Sequence, residues 1–177
     1  MKGIRLITSD ACIGLAESAA EFFPEAAWQR CVVHWYRNIF SHVPSTKVRE
    51  IAAMLKAIHA SEDLAAAREK AIRVIEKLRG LRLSRAAELV EAAVEETLTY
   101  YAFPEEHWRR IRTNNSLERI LREIRRRTRV VGAFPDGQSA LNLAAARLRH
   151  IVTAWSTKRY LNIELLKDQQ MRGAITA

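Results

Sequence analysis

Two carboxylates and a dense run of arginines are the side chains whose placement in this 177-residue sequence could do chemistry. Asp10 closes the segment Ile4-Arg-Leu-Ile-Thr-Ser-Asp10, at the carboxyl end of a short apolar stretch. Open α/β sheets carry functional side chains at that end of a strand, where the connecting loops form a crevice. An Asp directly ahead of a helix is equally a good N-cap, accepting from an unpaired backbone N–H. Glu118 lies in Thr113-Asn-Asn-Ser-Leu-Glu-Arg119. Asn115 followed three residues later by Glu118 has the spacing of a capping box. The same carboxylate could instead ligate a metal ion beside a phosphate track, and spacing alone does not choose.

Between Arg109 and Arg129 stand nine arginines, no lysine and two acids, Glu118 and Glu123; this stretch holds +7 of the formal net charge of +9. So dense a block creates a local positive field suited to phosphate backbones. A solvated helix face is the plain alternative. The exclusive use of arginine favours oxyanion contacts, because the guanidinium fork binds them bidentately. Along the helix, Leu117, Ile120, Leu121 and Ile124 line one face. Glu118, Arg122 and Arg125 line another at offsets of four and seven, where exposed ion pairs are worth only tenths of a kcal/mol.

Cys31-Val-Val-His34 has half the spacing of a zinc site, but no second Cys or His pair completes it. A buried Cys and a hydrogen-bonded His are the structural alternative. The aromatic run Tyr100-Tyr-Ala-Phe103 and Trp108 read as packing. A Gly-x-Ser-x-Gly elbow and a phosphate-binding glycine loop are both missing from the sequence.

The elements that must position these side chains follow from periodicity. Residues 4–8 read as a buried strand, and residues 11–23 as a helix with Ile13, Leu15, Ala19, Phe22 and Phe23 on its buried side, stopped by Pro24. Residues 28–34 are a second strand candidate, so the start suggests a parallel βαβ unit. Residues 47–59, 64–78 and 86–101 carry apolar residues at helical spacing and form an amphipathic helical subdomain ending at Pro104. Residues 115–129 and 139–155 are two further helices, and the tail beyond Lys158 is weakly patterned. The fold class is α/β, predominantly helical. Two parallel strands cannot cover two faces or protect their edges, so further strands are expected ahead of Met1; an all-helical protein is the alternative. The expected divisions are residues 1–44, 45–104 and 105–177.

Composition sets the outer limits. Apolar residues make up 49% and charged ones 28%, as in a folded protein. The sequence has no apolar run of bilayer length, and an acid arrives too early for a secretory leader. Two cysteines make no disulfide framework, which points to a reducing, cytoplasmic setting.

Taken together, Thr8-Ser-Asp10, Trp28-Gln-Arg-Cys-Val-Val-His-Trp-Tyr-Arg-Asn38, Phe103-Pro-Glu-Glu-His-Trp108, Thr113-Asn-Asn-Ser-Leu-Glu-Arg119, Glu-Ile-Arg-Arg-Arg-Thr128 and Val130-Val-Gly-Ala-Phe-Pro135 resemble the Mutator-type transposases of bacterial insertion sequences. The resemblance runs through nearly the whole chain in order. It implies a ribonuclease-H-like core with two Asp and one Glu, and a helical insertion between the second Asp and the Glu. Asp10 matches that second Asp, and Glu118, 108 positions later, matches the Glu. Cys31 and His34 match the family's Cys-x-x-His signature and would support the site rather than bind zinc. The resemblance also implies two Mg²⁺ (or Mn²⁺) ions in the complete enzyme. Its implied partners are DNA, both terminal inverted repeats and target, and further copies of the chain in a homo-oligomer. Arg119, Arg122, Arg125, Arg126 and Arg127 are the expected phosphate contacts, and the setting would be the cytoplasm, at the nucleoid.

The sequence departs from the family in three places. The first Asp and the amino-terminal DNA-recognition region have no match, and Leu121 stands where the family usually has Asn. The expectation is a truncated transposase core with two strands retained, unable to cut DNA alone. A non-catalytic DNA-binding module, with Glu118 only capping its helix, is the competing reading; a purely structural helical protein is a third.

Overall fold

The computed structural model of the chain describes residues 3–156 and 161–175. Its contacts divide into two compact units, Met1–Thr113 and Asn114–Ala177.

The first unit opens with strand β1 (Leu6–Ser9), helix α1 (Ile13–Phe22), strand β2 (Ala27–Arg30) and helix α2 (Val32–Phe40). The strands pair in parallel, from Leu6 opposite Ala27 to Ser9 opposite Arg30, so the βαβ unit expected from the pattern is present. The second strand is shorter than its composition suggests. Val32, Trp35 and Ile39 recur at helical spacing and are all buried on α2, which turns Cys31-Val-Val-His34 from strand into helix start. Cys31 becomes the N-cap residue of α2.

Helix α1 departs from expectation in a second way. Ala19 alone is buried, while Ile13 and Phe22 are 74% and 69% exposed and Leu15 is exposed as well. Two strands are too narrow a surface to cover an apolar stripe on a ten-residue helix, so α1 seats only its small-residue side on them.

The core of this unit is helical. It joins α2 to α3 (Val48–Ile58), α4 (Leu64–Gly80) and α5 (Ser84–Ala93). Trp35, Ile39, Ile51, Leu55, Ile58 and Leu78 are shut off from solvent, and each such burial contributes about 1.5–3 kcal/mol. Alanines at 67, 71, 86, 87 and 93 are buried too, and such small side chains let helices approach closely. The turn after α4 is made not by Gly80 but by Arg82, whose φ of 59° is left-handed, with Leu83 N–H donating to Leu78 O at 2.9 Å.

The periodicity of residues 86–101 predicts one helix, yet α5 stops at Ala93 and 3₁₀ turns follow at Glu95–Thr97 and Thr99–Ala102. Gln29 of β2 is the cause. Its amide donates to Thr97 O at 2.8 Å and accepts from Tyr100 N–H at 2.8 Å, taking backbone groups that a continuous helix would have used itself. The short helix α6 (Trp108–Ile111) ends the unit.

The second unit contains α7 (Asn115–Val131), α8 (Gly137–Ser156) and α9 (Ile163–Ile175), the last falling in the weakly patterned tail. Gly132, at φ 76°, terminates α7, and Asp136 accepts from Ser139 N–H at 2.6 Å to start α8. Helices α7 and α8 lie against one another, yet α7 has no fully buried residue. Among the described residues no helix is long and apolar enough to cross a membrane.

Candidate active site and nucleic-acid interface

Asp10 lies directly beyond β1, exposed, at the carboxyl edge of the strand pair. It does not cap α1. That helix begins at Ile13 with Cys12 in the cap position, and Asp10 Oδ1 instead accepts from the adjacent Ala11 N–H at 2.8 Å. The backbone around it is pinned. Cys31 N–H donates to Ser9 O at 2.7 Å, Trp28 Nε1 donates to Ser9 Oγ at 2.8 Å, and Ser9 Oγ donates to Asp10 O at 2.9 Å.

The same edge gathers the Cys-x-x-His pair. Cys31 follows Arg30, the residue paired with Ser9, and is fully buried. His34, half-buried in the first turn of α2, has an Nδ1 shielded from solvent and without a partner among the described residues. Asp10, Cys31 and the start of α2 are thus neighbours along one sheet edge, which spacing in the sequence did not establish.

A third segment is tied there. Thr8 Oγ1 donates to Ile111 O at 2.6 Å, and Val32 N–H donates to Arg112 O at 3.1 Å. Arg112 is therefore a structural arginine, although it belongs to the basic block. Its Nη1 donates to His59 O, and its guanidinium lies 5.8 Å from the centre of the Tyr100 ring. The chain leaves the first unit one residue later.

Glu118 belongs to the second unit. Helix α7 begins at Asn115 with Asn114 as N-cap, so Glu118 is its fourth residue and not the third that a capping box requires. Its backbone N–H makes the first helical bond, to Asn114 O at 3.0 Å. The half-buried carboxylate has no hydrogen bond or ion pair with another described residue, so the alternative of an i,i+4 pair with Arg122 is not formed. Asp10 and Glu118 thus both keep hard oxygen donors available, the chemistry that suits Mg²⁺ or Mn²⁺. Among the described residues no three His, Cys, Asp or Glu side chains gather into a metal-sized cluster.

The arginines sort into two groups. Arg119, Arg122 and Arg125 are exposed and unpaired among the described residues. Arg126 and Arg127 are held by Glu123 at 2.9 and 3.2 Å, and Arg147 of α8 reaches the same carboxylate at 2.6 Å. The hydrogen bond from Arg126 above all, with those from Arg127 and Arg147, holds the Glu123 carboxyl down at about 2. Glu123 as a hub was partly legible, since arginines three and four residues on share its face. Arg147 was not, because it comes from another helix.

The family model for transposases of the Mutator family matches residues 1–158, and the chain belongs to that family. It is 35% identical over 171 residues to the transposase for insertion sequence element ISRM5 of Rhizobium meliloti, covering 96% of this chain and 43% of that protein. Identity is 36% over 178 residues to the transposase for IS1081 of Mycobacterium tuberculosis, covering 100% and 42%. To the transposase for IS406 of Burkholderia multivorans it is 38% over 164 residues, covering 92% and 42%. The chain therefore spans less than half the length of each of these three relatives.

Proposed function

We propose that this chain is the Glu-bearing part of a DNA transposase that cuts and rejoins strands at insertion-sequence ends, with Asp10 and Glu118 as two of its metal-holding carboxylates on a ribonuclease-H-like core. The observation that carries this reading is the placement of Asp10. It stands at the carboxyl edge of a parallel pair, caps no helix, and is held beside Cys31 by backbone bonds. Glu118 supports it by lacking the capping-box partner that would have explained it structurally. Two Mg²⁺ or Mn²⁺ ions between such carboxylates would supply activation of the attacking oxygen and stabilisation of the leaving one. Cys31 and His34 brace the edge on which Asp10 sits. Arg119, Arg122 and Arg125 bind DNA phosphates directly, while Arg126 and Arg127 are oriented by Glu123. Substrates are terminal inverted repeats and target DNA at the nucleoid, handled by a homo-oligomer of the complete transposase.

One observation favours a second reading, a DNA-binding module without chemistry: Arg119, Arg122 and Arg125 of α7 are exposed and unpaired among the described residues. The two separate on metal. In the transposase reading, Glu118→Gln lowers Mn²⁺ affinity, measured by the electron-spin signal of free Mn²⁺. In the module reading Mn²⁺ affinity is the same in both proteins. Because Glu118 makes no cap, either reading expects a stability change of only about 0.5 kcal/mol. The chain alone should leave insertion-end duplexes intact in Mg²⁺; nicking by the purified protein, lost in Glu118→Gln, would show the site to be complete.

A further inference from the structure

The geometry points to a DNA-phosphate site in the groove between α7 and α8, where Arg147 and His150 of α8 complete the set begun by Arg119 and Arg122 of α7. This rests on the reading that α7 meets DNA, and it adds a second helix to the interface. The groove has a volume of about 400 Å³, and Ile120, Ile151 and the Glu123 carboxylate are among the residues that line it. Arg119, Arg122 and Arg126 stand along its α7 side, and Arg147 and His150 along its α8 side.

Two features show a site prepared for an oxyanion. The first is the bonding of Arg147. Its Nη2 is engaged by Glu123, while its Nε–H is shielded from solvent and has no partner among the described residues. A buried donor left unmade is costly, and a shift of the Arg147 side chain would be needed to bring it to an incoming phosphate oxygen, which would then satisfy it. The second is the role of Glu123. One carboxylate fixes guanidinium groups from two helices, and each guanidinium carries five N–H donors. Donors beyond those bonded to Glu123 remain for a ligand, already oriented, so less side-chain freedom is lost on binding.

A nucleic-acid backbone fits better than an acidic protein. Arg119, Arg122 and Arg126 fall on successive turns and span about 10 Å of helix, matching a polymer whose charges recur regularly. The lining isoleucines, Ile120 and Ile151, suit the apolar face of a deoxyribose. Helix α8 itself carries no acid, so a second copy of it would bring like charge.

The test is anisotropy titration of a fluorescent mixed-sequence duplex with the 177-residue chain, at salt concentrations from about 50 to 200 mM. Arg147→Gln should weaken binding several-fold and reduce the salt slope by about one. His150→Gln should weaken binding as well. Arg149→Gln, an exposed neighbour on α8 outside the groove, should leave the slope unchanged. Equal effects at 147 and 149, or no effect at 147 and 150, would overturn the proposal. Tighter binding of polyglutamate than of DNA, weakened by the same two changes, would assign the groove to an acidic protein instead. If Arg119→Gln and Arg122→Gln reduce the slope while 147 and 150 do not, this site falls and the α7 interface survives; no DNA binding at low salt sinks both. Should Arg147→Gln lose helicity, the exposed His150 carries the test alone.

Discussion

Gln29 uses its entire amide while fully buried. Nε2 donates to Thr97 O and Arg30 O, and Oε1 accepts from Tyr100 N–H. Gln29→Leu would keep the volume and strand three backbone groups away from water, so we expect a loss of about 2–4 kcal/mol in urea unfolding. His59 is the titrating counterpart. The Thr97 hydroxyl donates to Val94 O at 2.6 Å and must accept from His59 Nε2–H, which leaves Nδ1 to accept from Tyr36 O–H at 2.8 Å. Burial, the largest cause, lowers its pKa from 6.5 to about 3. The unfolded chain therefore takes up this proton first. The neutral ring's contribution is whole above pH 6.5 and erodes by about 1.4 kcal/mol per pH unit as the pH falls toward 3. Glu123 adds its own loss only below 4.5, down to about 2. Urea midpoints between about pH 7 and pH 4.5 should thus fall in the native chain and stay flatter in His59→Gln. Neither Gln29 nor His59 was legible as a keystone, because each joins segments tens of residues apart.

At the scale of elements, local rules worked where the determinants were local. Helix α4 starts where Asp63 accepts from Ala66 N–H at 2.7 Å. Asp63→Ala should cost about 1 kcal/mol, read as a lowered melting temperature with the fold retained. The helical stretches of the subdomain were legible from period alone, and the strand leading to Asp10 from its short β-branched apolar run. Errors fell where two periods compete or a distant residue intervenes. Residues 31–34 look like a strand by composition and join a helix because Val32, Trp35 and Ile39 have a helical core to enter. The segment after Ala93 looks helical and breaks because Gln29 captures its backbone. For α7, the capping-box spacing was real in the sequence, but the helix starts one residue earlier than that box requires.

For the whole molecule, every fully buried residue among those described lies between Ser9 and His107, inside the first unit. A fragment of residues 1–113 should therefore unfold cooperatively, followed by tryptophan fluorescence. Residues 114–177 alone should show no cooperative transition, since their described residues include none that is fully buried and helices without a buried face are marginal in water. A fragment 1–113 lacking a transition would show that its core depends on the second unit.

By itself the sequence determined the helical texture, the strand end at Asp10, the arginine excess and the membership of the Mutator family. Those features reside in short-range spacing and ordered motifs, which a linear reading captures. The tertiary structure decided which arginines are already paired, that Asp10 and Glu118 are not caps, and that Cys31 shares an edge with Asp10. It also decided that Ile111 and Arg112 are tied to that edge by backbone bonds. Each of these depends on which distant segment lends a donor or acceptor, and sequence spacing does not encode that partner.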